Sequence, residues 1–158
     1  MMIPAPRHQL LFKNTFSTSQ NERTEVIQTV GTIIKSNRLV PVISDYELTL
    51  IVDEAVTNAM EHGNSWNPNK KVFVSVRTDG ISLHVSIEDE GMGFDYAHYK
   101  SECEQNKLSK RGRGVMILRH LCKPFWGKSG REVILEIPLK SIPRKALPVR
   151  DPATFALQ

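Results

Sequence analysis

The sequence predicts an α+β protein, a two-layer α/β sandwich in which helices cover one face of a mixed, mostly antiparallel sheet. Two observations carry this prediction: pairs of short alternating segments are joined by turns, and other segments repeat apolar residues at helical spacing. In chain order the elements are a strand, two helices, a hairpin, a glycine-containing loop, a helix and a second hairpin. Strands joined by short turns pair antiparallel, so the helices can pack together on one side.

Length and composition indicate one domain of a cytoplasmic protein. The 158 residues are 40% hydrophobic and 24% charged, and the net charge of +4 does not by itself indicate nucleic-acid binding. No apolar run approaches the roughly 20 residues that cross a bilayer, and no secretory signal or disulfide framework is evident. We therefore expect no membrane contact and no direct contact with nucleic acid. The expected organisation is a flexible N-terminus at 1–7, a domain at 8–139 and a Pro-rich basic tail at 140–158.

The first half of the chain predicts one strand and two helices. Strand-like residues fall within 8–16. Apolar residues at helical spacing then predict a helix over residues 20–35, capped by Ser19 or Asn21. A second helix runs from about residue 45 to Gly63, a residue type that ends helices. Its predicted inward face comprises Leu48, Ile51, Val52, Ala55, Val56 and Ala59.

A hairpin follows the second helix. Residues 72–77 and 81–88 alternate apolar and polar side chains on either side of a predicted two-residue turn, Asp79-Gly80. Ile81 begins the aliphatic row of the second strand. His84 lies on the opposite face, and we interpret it as an ordinary sheet residue, not as a ligand.

The rest of the domain predicts a loop, a short helix and a last hairpin. Periodicity is absent from residues 96–110, which predicts a loop with many polar residues. A short helix with an apolar face covers residues 115–122. Two strands near 123–128 and 132–139 then form the second hairpin.

A polar row on the second helix carries the first candidate site residues. Glu54 and Asn58 lie one helical turn apart, beside the small Ala55 and Ala59, which leave room for a ligand. A carboxylate can polarise a hydroxyl group, and an amide oxygen is a hard ligand that suits Mg²⁺. Taken alone, the segment is also an ordinary amphipathic helix with an acidic solvent face.

Two glycine motifs add to this row. In Asp89-x-Gly91-x-Gly93, at a strand end, the glycines let a flat ligand approach, and the aspartate can accept a hydrogen bond from an amine such as that of adenine. Gly112-x-Gly114 precedes a predicted helix, whose free N–H groups and dipole favour phosphate. A plain turn and a flexible hinge are the respective alternatives. Neither motif is a Walker loop or a dinucleotide fingerprint.

In this order the three stretches resemble the motifs of the GHKL ATP-binding superfamily. Residues 54–63, with the sequence EAVTNAMEHG, resemble the N-box of its anti-sigma-factor serine/threonine kinase branch. Residues 89–94 resemble the G1 box and residues 112–114 the G2 region. The resemblance covers roughly residues 8–139. It implies the Bergerat (histidine-kinase-like ATPase) fold, with ATP held between the helices under a lid formed by residues 95–111.

The resemblance also implies roles for single residues. Glu54 would be the general base that draws the proton from a serine hydroxyl, and Asn58 would bind ATP through a coordinated Mg²⁺. Asp89 would recognise the adenine amine. The other residues implied to bind ATP are His62, Gly91, Met92, Gly93, Gly112, Arg113, Gly114 and Val115.

The implied function is that of a bacterial regulator, a homodimer that uses ATP and Mg²⁺ to phosphorylate a STAS-type antagonist protein and that sequesters a sigma factor. All charged residues between Gln105 and Glu132 are basic, which suits a phosphate tail or an acidic partner but also a solvated surface. Arg131 departs from the pattern, because this branch often carries Thr here, and loss of the hydroxyl is expected to weaken nucleotide binding. The alternative function is a nucleotide-binding module that captures its partner without phosphoryl transfer.

Overall fold

The computed structural model describes residues 8–93, residue 95 and residues 110–141. In this part of the chain, three α-helices pack on one face of a five-stranded sheet. The helices are α1 (Gln20–Ser36), α2 (Asp45–Thr57) and α3 (Lys110–Leu121), and a π-helix (Asn58–Gly63) continues α2. The strands are β1 (Gln9–Ser17), β2 (Lys71–Thr78), β3 (Ser82–Asp89), β4 (Lys123–Trp126) and β5 (Glu132–Pro138).

The sheet has the strand order β1-β2-β3-β5-β4, and every pairing of these strands is antiparallel. The predicted α+β fold is therefore confirmed, with an antiparallel sheet. The predicted domain boundaries stay predictions, because residues 1–7 and 142–158 lie outside the described residues. The same is true of residues 96–109, the greater part of the predicted lid. None of the described helices is long and apolar enough to cross a membrane.

The core lies between the sheet and the helices, as the alternating pattern predicts. Val85 of β3 pairs with Val76 of β2 on one side and with Leu135 of β5 on the other, and all three side chains are buried. The opposing layer is the apolar face of α2 and its π-helical continuation; five of the six predicted members lie in α2 and Ala59 lies in the π-helix, and all six are buried. Burial of such aliphatic side chains supplies the main stabilisation of a two-layer fold.

Both N-terminal helices begin at serine caps. Ser19 accepts a 3.2 Å hydrogen bond from the amide of Glu22, so Ser19 and not Asn21 is the cap of α1. Ser44 and Glu47 form a capping box at the start of α2, in which each side chain bonds the backbone of the other residue. Each cap fixes where its helix begins and hence which residues of that helix face the sheet.

The structure corrects the prediction that one α-helix runs to Gly63. The α-helical pattern ends at Thr57, and the chain continues as a π-helix whose wide turn is visible in the 2.8 Å hydrogen bond from the Asn64 amide to the Ala59 carbonyl. The buried side chain of Asn64, which follows the π-helix, makes three hydrogen bonds to neighbouring segments. Turns of π-helix are rare and often occur at functional sites.

Two further predictions are corrected. Helix α3 begins at Lys110 instead of near residue 115, so Gly112 and Gly114 lie within its first turns and not before it. Ile81 is 70% exposed and lies in the turn, not in the aliphatic row of β3. The turn is longer than two residues because the Asp79 side chain accepts hydrogen bonds from the amides of residues 81 and 82, which stabilises a wider loop.

Candidate active site

Glu54 and Asn58 lie where α2 and its π-helical continuation meet α3. Gly114 of α3 packs against both side chains: a Cβ atom at this position would lie 2.5 Å from Glu54 Oε2 and 3.5 Å from Asn58 Nδ2. Only glycine lets the α3 backbone approach so closely without displacing the carboxylate. The structure therefore brings together two of the three predicted stretches, the acid–amide pair and the second glycine motif.

The carboxyl group of Glu54 has a perturbed acidity. Partial burial raises its pKa above the ordinary value of 4.5, and the adjacent charge of Asp53 raises the pKa further. The guanidinium of Arg23 acts in the opposite direction, and it is held nearby by a 2.7 Å hydrogen bond from its Nε to Asp53 Oδ1. A carboxylate with a raised pKa takes up a proton more readily, which is the property required of a general base.

Asp89 occupies the other end of the site, at the end of β3. Its side chain is buried, and its Oδ1 accepts a 2.7 Å hydrogen bond from the amide of Gly91. A Cβ atom at Gly63 would collide with this carboxylate, and one at Gly91 would collide with the Gly63 carbonyl oxygen. The end of the π-helix and the acidic-glycine loop thus meet at two glycines around one buried carboxylate.

The loop between β4 and β5 closes against the acidic-glycine loop. Gly93 has a φ of +96°, and a Cβ atom there would collide with the Ser129 carbonyl oxygen. The Arg131 carbonyl accepts a 3.1 Å hydrogen bond from the Asp89 amide. Glycine is required at position 93 both by this backbone conformation and by the contact.

Asn64 is a residue of this region that sequence analysis missed. Its Nδ2 donates 2.9 Å hydrogen bonds to Thr18 Oγ1 and to the Lys71 carbonyl, and its Oδ1 accepts a 2.9 Å hydrogen bond from the Glu90 amide. The side chain is fully buried. It ties the loop that follows Asp89 to β1 and β2. An asparagine in a turn-rich stretch is so common that nothing in the sequence indicated this role.

A small cavity of about 30 Å³ lies between Asn58 and Asp89. It is lined by α2, the end of β3, α3 and the β4–β5 loop, and Val115, Trp126 and Arg131 contribute to its walls. It adjoins a wider cavity of about 800 Å³, with Trp126 and Gly130 in both linings. The wider cavity also has Arg119, Lys123 and Lys128 in its wall, which makes it suitable for an anionic group.

Of the remaining predicted site residues, Val115 and Met92 line the two cavities, and the others lie at the surface or at the start of α3. Val115 is buried and lines the small cavity. Met92 is fully exposed, and His62 and Arg113 are exposed as well. Gly112 is described through its backbone in the first turn of α3. Contact of these four exposed or terminal positions with ATP stays a prediction that rests on the resemblance.

Comparison with known proteins identifies the family. The sequence pattern described as the histidine kinase-like ATPase domain matches residues 17–136, which include all three motifs. The chain belongs to the histidine kinase-like ATPase family. The fold prediction and the resemblance to the GHKL superfamily are thereby confirmed.

Individual relatives point to the predicted branch of the family. The chain is 34% identical over 80 residues to a protein named anti-sigma F factor from Shouchella clausii, a match that covers 49% of this chain and 55% of that protein. Anti-sigma F factors of Geobacillus thermodenitrificans and Bacillus subtilis are 35% and 32% identical over 77 residues, 47% of this chain and 53% of each relative. The chain thus spans about half the length of the relatives it matches.

Proposed function

We propose that this chain is an ATP-dependent serine/threonine-protein kinase and anti-sigma factor. In this proposal it phosphorylates a STAS-type antagonist protein and sequesters a sigma factor in the bacterial cytoplasm. The observation that supports it is the close approach of Gly114 to Glu54 and Asn58, because it puts a carboxylate and a carboxamide beside the first turns of α3. The family match and the anti-sigma F factor names of the relatives support the same class of function.

The phosphate end of the site is proposed to lie at Asn58 and the start of α3. The first N–H groups of a helix have no partner within the helix, and the dipole favours an anion there. In α3 these groups include those of Gly112 and Arg113. The half-buried amide of Asn58 offers a hard oxygen ligand, so this residue fits Mg²⁺. When bound, this ion would neutralise charge on the phosphates of ATP.

Glu54 is the proposed general base. The serine oxygen of the antagonist forms a bond to the terminal phosphorus of ATP, the bond from that phosphorus to the ADP oxygen breaks, and Glu54 takes the hydroxyl proton. Burial and the charge of Asp53 support this role, because they raise the pKa of Glu54 toward working pH. Arg23 limits the increase and keeps the carboxylate able to lose the proton again.

The adenine end of the site is proposed to lie at Asp89, with Gly91 and Gly93 shaping the pocket. The Gly91 amide fixes the orientation of the carboxylate, which would accept a hydrogen bond from the exocyclic amine. A cavity of about 30 Å³ is too small for a purine, since it is far smaller than an engineered cavity of about 150 Å³ that binds benzene, a single ring. We therefore expect Trp126 and Arg131 to move when the nucleotide binds.

A second candidate function is a nucleotide-binding module that captures its protein partner without phosphoryl transfer. Arg131 favours this candidate, because it lines the small cavity where a threonine is common in the branch. In either case we propose a homodimer with a sigma factor and a STAS antagonist as partners. A phosphoserine carries a charge of about −1.5 to −2, which would change how the antagonist docks.

The decisive experiment is phosphoryl transfer from ATP labelled at the terminal phosphate to a STAS-domain protein, with Mg²⁺ present. Glu54→Gln should lower the transfer rate by about 10²–10⁴-fold, the usual contribution of a general base, while nucleotide binding is retained. Asn58→Ala should abolish the Mg²⁺-dependent part of ATP binding. The matched control is Glu61→Gln, which removes an exposed carboxylate from the π-helix outside the site.

The outcomes separate the two functions. Transfer that is lost in Glu54→Gln and kept in Glu61→Gln supports the kinase. Nucleotide binding by the parent protein with no transfer to any STAS protein supports the module. Binding can be followed by the fluorescence of Trp126 in a Trp66→Phe background, since Trp126 lines the site. Absence of any adenine nucleotide binding, with or without Mg²⁺, would overturn both.

A further inference from the structure

Three potential metal ligands meet at the end of the sheet remote from the candidate active site. They are His8, just before β1, Asp79 in the turn between β2 and β3, and His84 on β3, and one ligand atom of each lies within 4.8 Å of the others. Pairing of Gln9 with Thr78 sets His8 beside the turn. His84 stands five residues before Asp89 on β3, so at roughly 3.4 Å per residue this nearest member of the cluster lies about 17 Å from the Asp89 end of the site.

The ligand atoms are oriented for a shared ion. Asp79 Oδ1 accepts hydrogen bonds of 2.8 and 2.7 Å from the amides of Ile81 and Ser82, which fixes the carboxylate. Its other oxygen, Oδ2, lies 3.5 Å from His84 Nε2. Two ligands that are each about 2.0–2.1 Å from a tetrahedral zinc ion lie roughly 3.4 Å apart, so this separation matches one edge of such a site.

The third ligand, His8, comes from the residue just before β1, the strand that pairs with β2. The rings of His8 and His84 are 5.0 Å apart between centroids and inclined by 69°, so they meet edge to face and do not stack. The side chains of His84 and Asp79 are only 18% and 16% exposed, whereas His8 is exposed. The Asp79 carboxylate is oriented by the hydrogen bonds from the two amides of its turn, as hydrogen bonds from outside a metal site orient the ligands.

We propose that His8, Asp79 and His84 form a binding site for Zn²⁺ or a similar first-row divalent ion. Two imidazoles and one carboxylate, with a fourth position left to water, are a common zinc ligand set. His84 pairs with Arg77 of β2 on one side and with Glu136 of β5 on the other. The charges of Arg77 and Glu136 are opposite and cancel, so the carboxylate of Asp79 gives the site a net negative charge. The ion would tie the start of β1, an edge strand, to the β2–β3 turn.

The test is a titration of the chelator-treated full chain with Zn²⁺ alone, in competition with a chromophoric chelator and without nucleotide. The parent protein should bind one ion per chain through this cluster. Asp79→Asn and His8→Ala should each weaken binding by about tenfold or more. Asn keeps the acceptor for the two turn amides, and His8 is exposed before the first strand, so neither change should prevent folding. The control is His120→Gln, an exposed histidine on α3.

A thermal-shift measurement provides a second readout. Zn²⁺ should raise the melting temperature of the parent and of His120→Gln, should raise that of Asp79→Asn by clearly less at the same zinc concentration, and EDTA should reverse the increase. Equal zinc affinity in the parent and both ligand variants would overturn the proposal, as would the absence of zinc binding by the folded parent. ATP binding in the presence of Mg²⁺ should be unchanged in Asp79→Asn, because the two sites lie at opposite ends of β3.

Discussion

Replacement of Asn64 by alanine should destabilise the fold and loosen the acidic-glycine loop. The side chain is fully buried and makes three hydrogen bonds, to Thr18, Lys71 and Glu90. At a net 0.5–1.5 kcal/mol for each bond, their loss costs about 3 kcal/mol, and groups left unpaired in the interior increase the cost. For a domain of this size that corresponds to a melting temperature roughly 6–12 °C lower.

Urea unfolding measures this cost directly. The midpoint should fall for Asn64→Ala while the slope stays constant, and the control Asn69→Ala, an exposed residue of the same loop, should remain within about 0.5 kcal/mol of the parent. Nucleotide affinity should also fall in Asn64→Ala, because the Glu90 amide that follows Asp89 loses its anchor. A loss of less than about 1 kcal/mol would refute the argument that this network holds the loop.

Two further substitutions test the geometry of the site. Gly91→Ala should destabilise the protein by about 1–3 kcal/mol and abolish nucleotide binding, because its Cβ would collide with the Gly63 carbonyl. The control Gly31→Ala lies in open space on α1 and should stabilise the protein by about 0.5–1 kcal/mol in the same urea assay. Equal effects of the two substitutions would contradict the reasoning. Glu54→Gln should stabilise the protein at pH 7, since burial raises the pKa of Glu54 in the folded state and so disfavours the charged carboxylate. Protonated Glu54 adds no penalty below the unfolded pKa, near 4.5, and the parent loses stability as the pH rises through the higher pKa of the folded state. The stability advantage of Glu54→Gln over the parent should therefore disappear below about pH 4.5. A constant difference in stability across this range would count against the reasoning.

Local rules were sufficient for most of the fold. The apolar pattern predicts that α2 begins near residue 45, and in the structure it begins at Asp45, where Ser44 and Glu47 form the capping box. Alternation along β2 and β3 predicts which side chains are buried, because the side-chain period of a strand is two. The motifs themselves also predicted the family, since a combination of three stretches in order is far more specific than any one.

What the sequence did not reveal depends on contacts between distant residues. The change from α- to π-helix at Asn58 shifts the following side chains by a fraction of a turn. The spacing of apolar residues in the sequence is too coarse to show so small a shift. The early start of α3 lies in a stretch where glycines, which have a weak helical preference, alternate with basic residues, and there the contact of Gly114 with Glu54 of α2 accompanies the helix. Tertiary packing overrides local preference at both points, and both are next to the site.

The glycines of the site have a physical role that differs from the one their spacing first indicated. Glycine-rich motifs predict sharp turns or free N–H groups for phosphate, but here three of them make room for carboxylates: Gly63 and Gly91 surround Asp89, and Gly114 faces Glu54. Each carboxylate occupies space that a Cβ atom would fill. The two acidic groups are therefore held by the close approach of backbones. A side chain at Gly63 or Gly114 should displace an acid first, whereas one at Gly91 meets the Gly63 backbone before it meets Asp89.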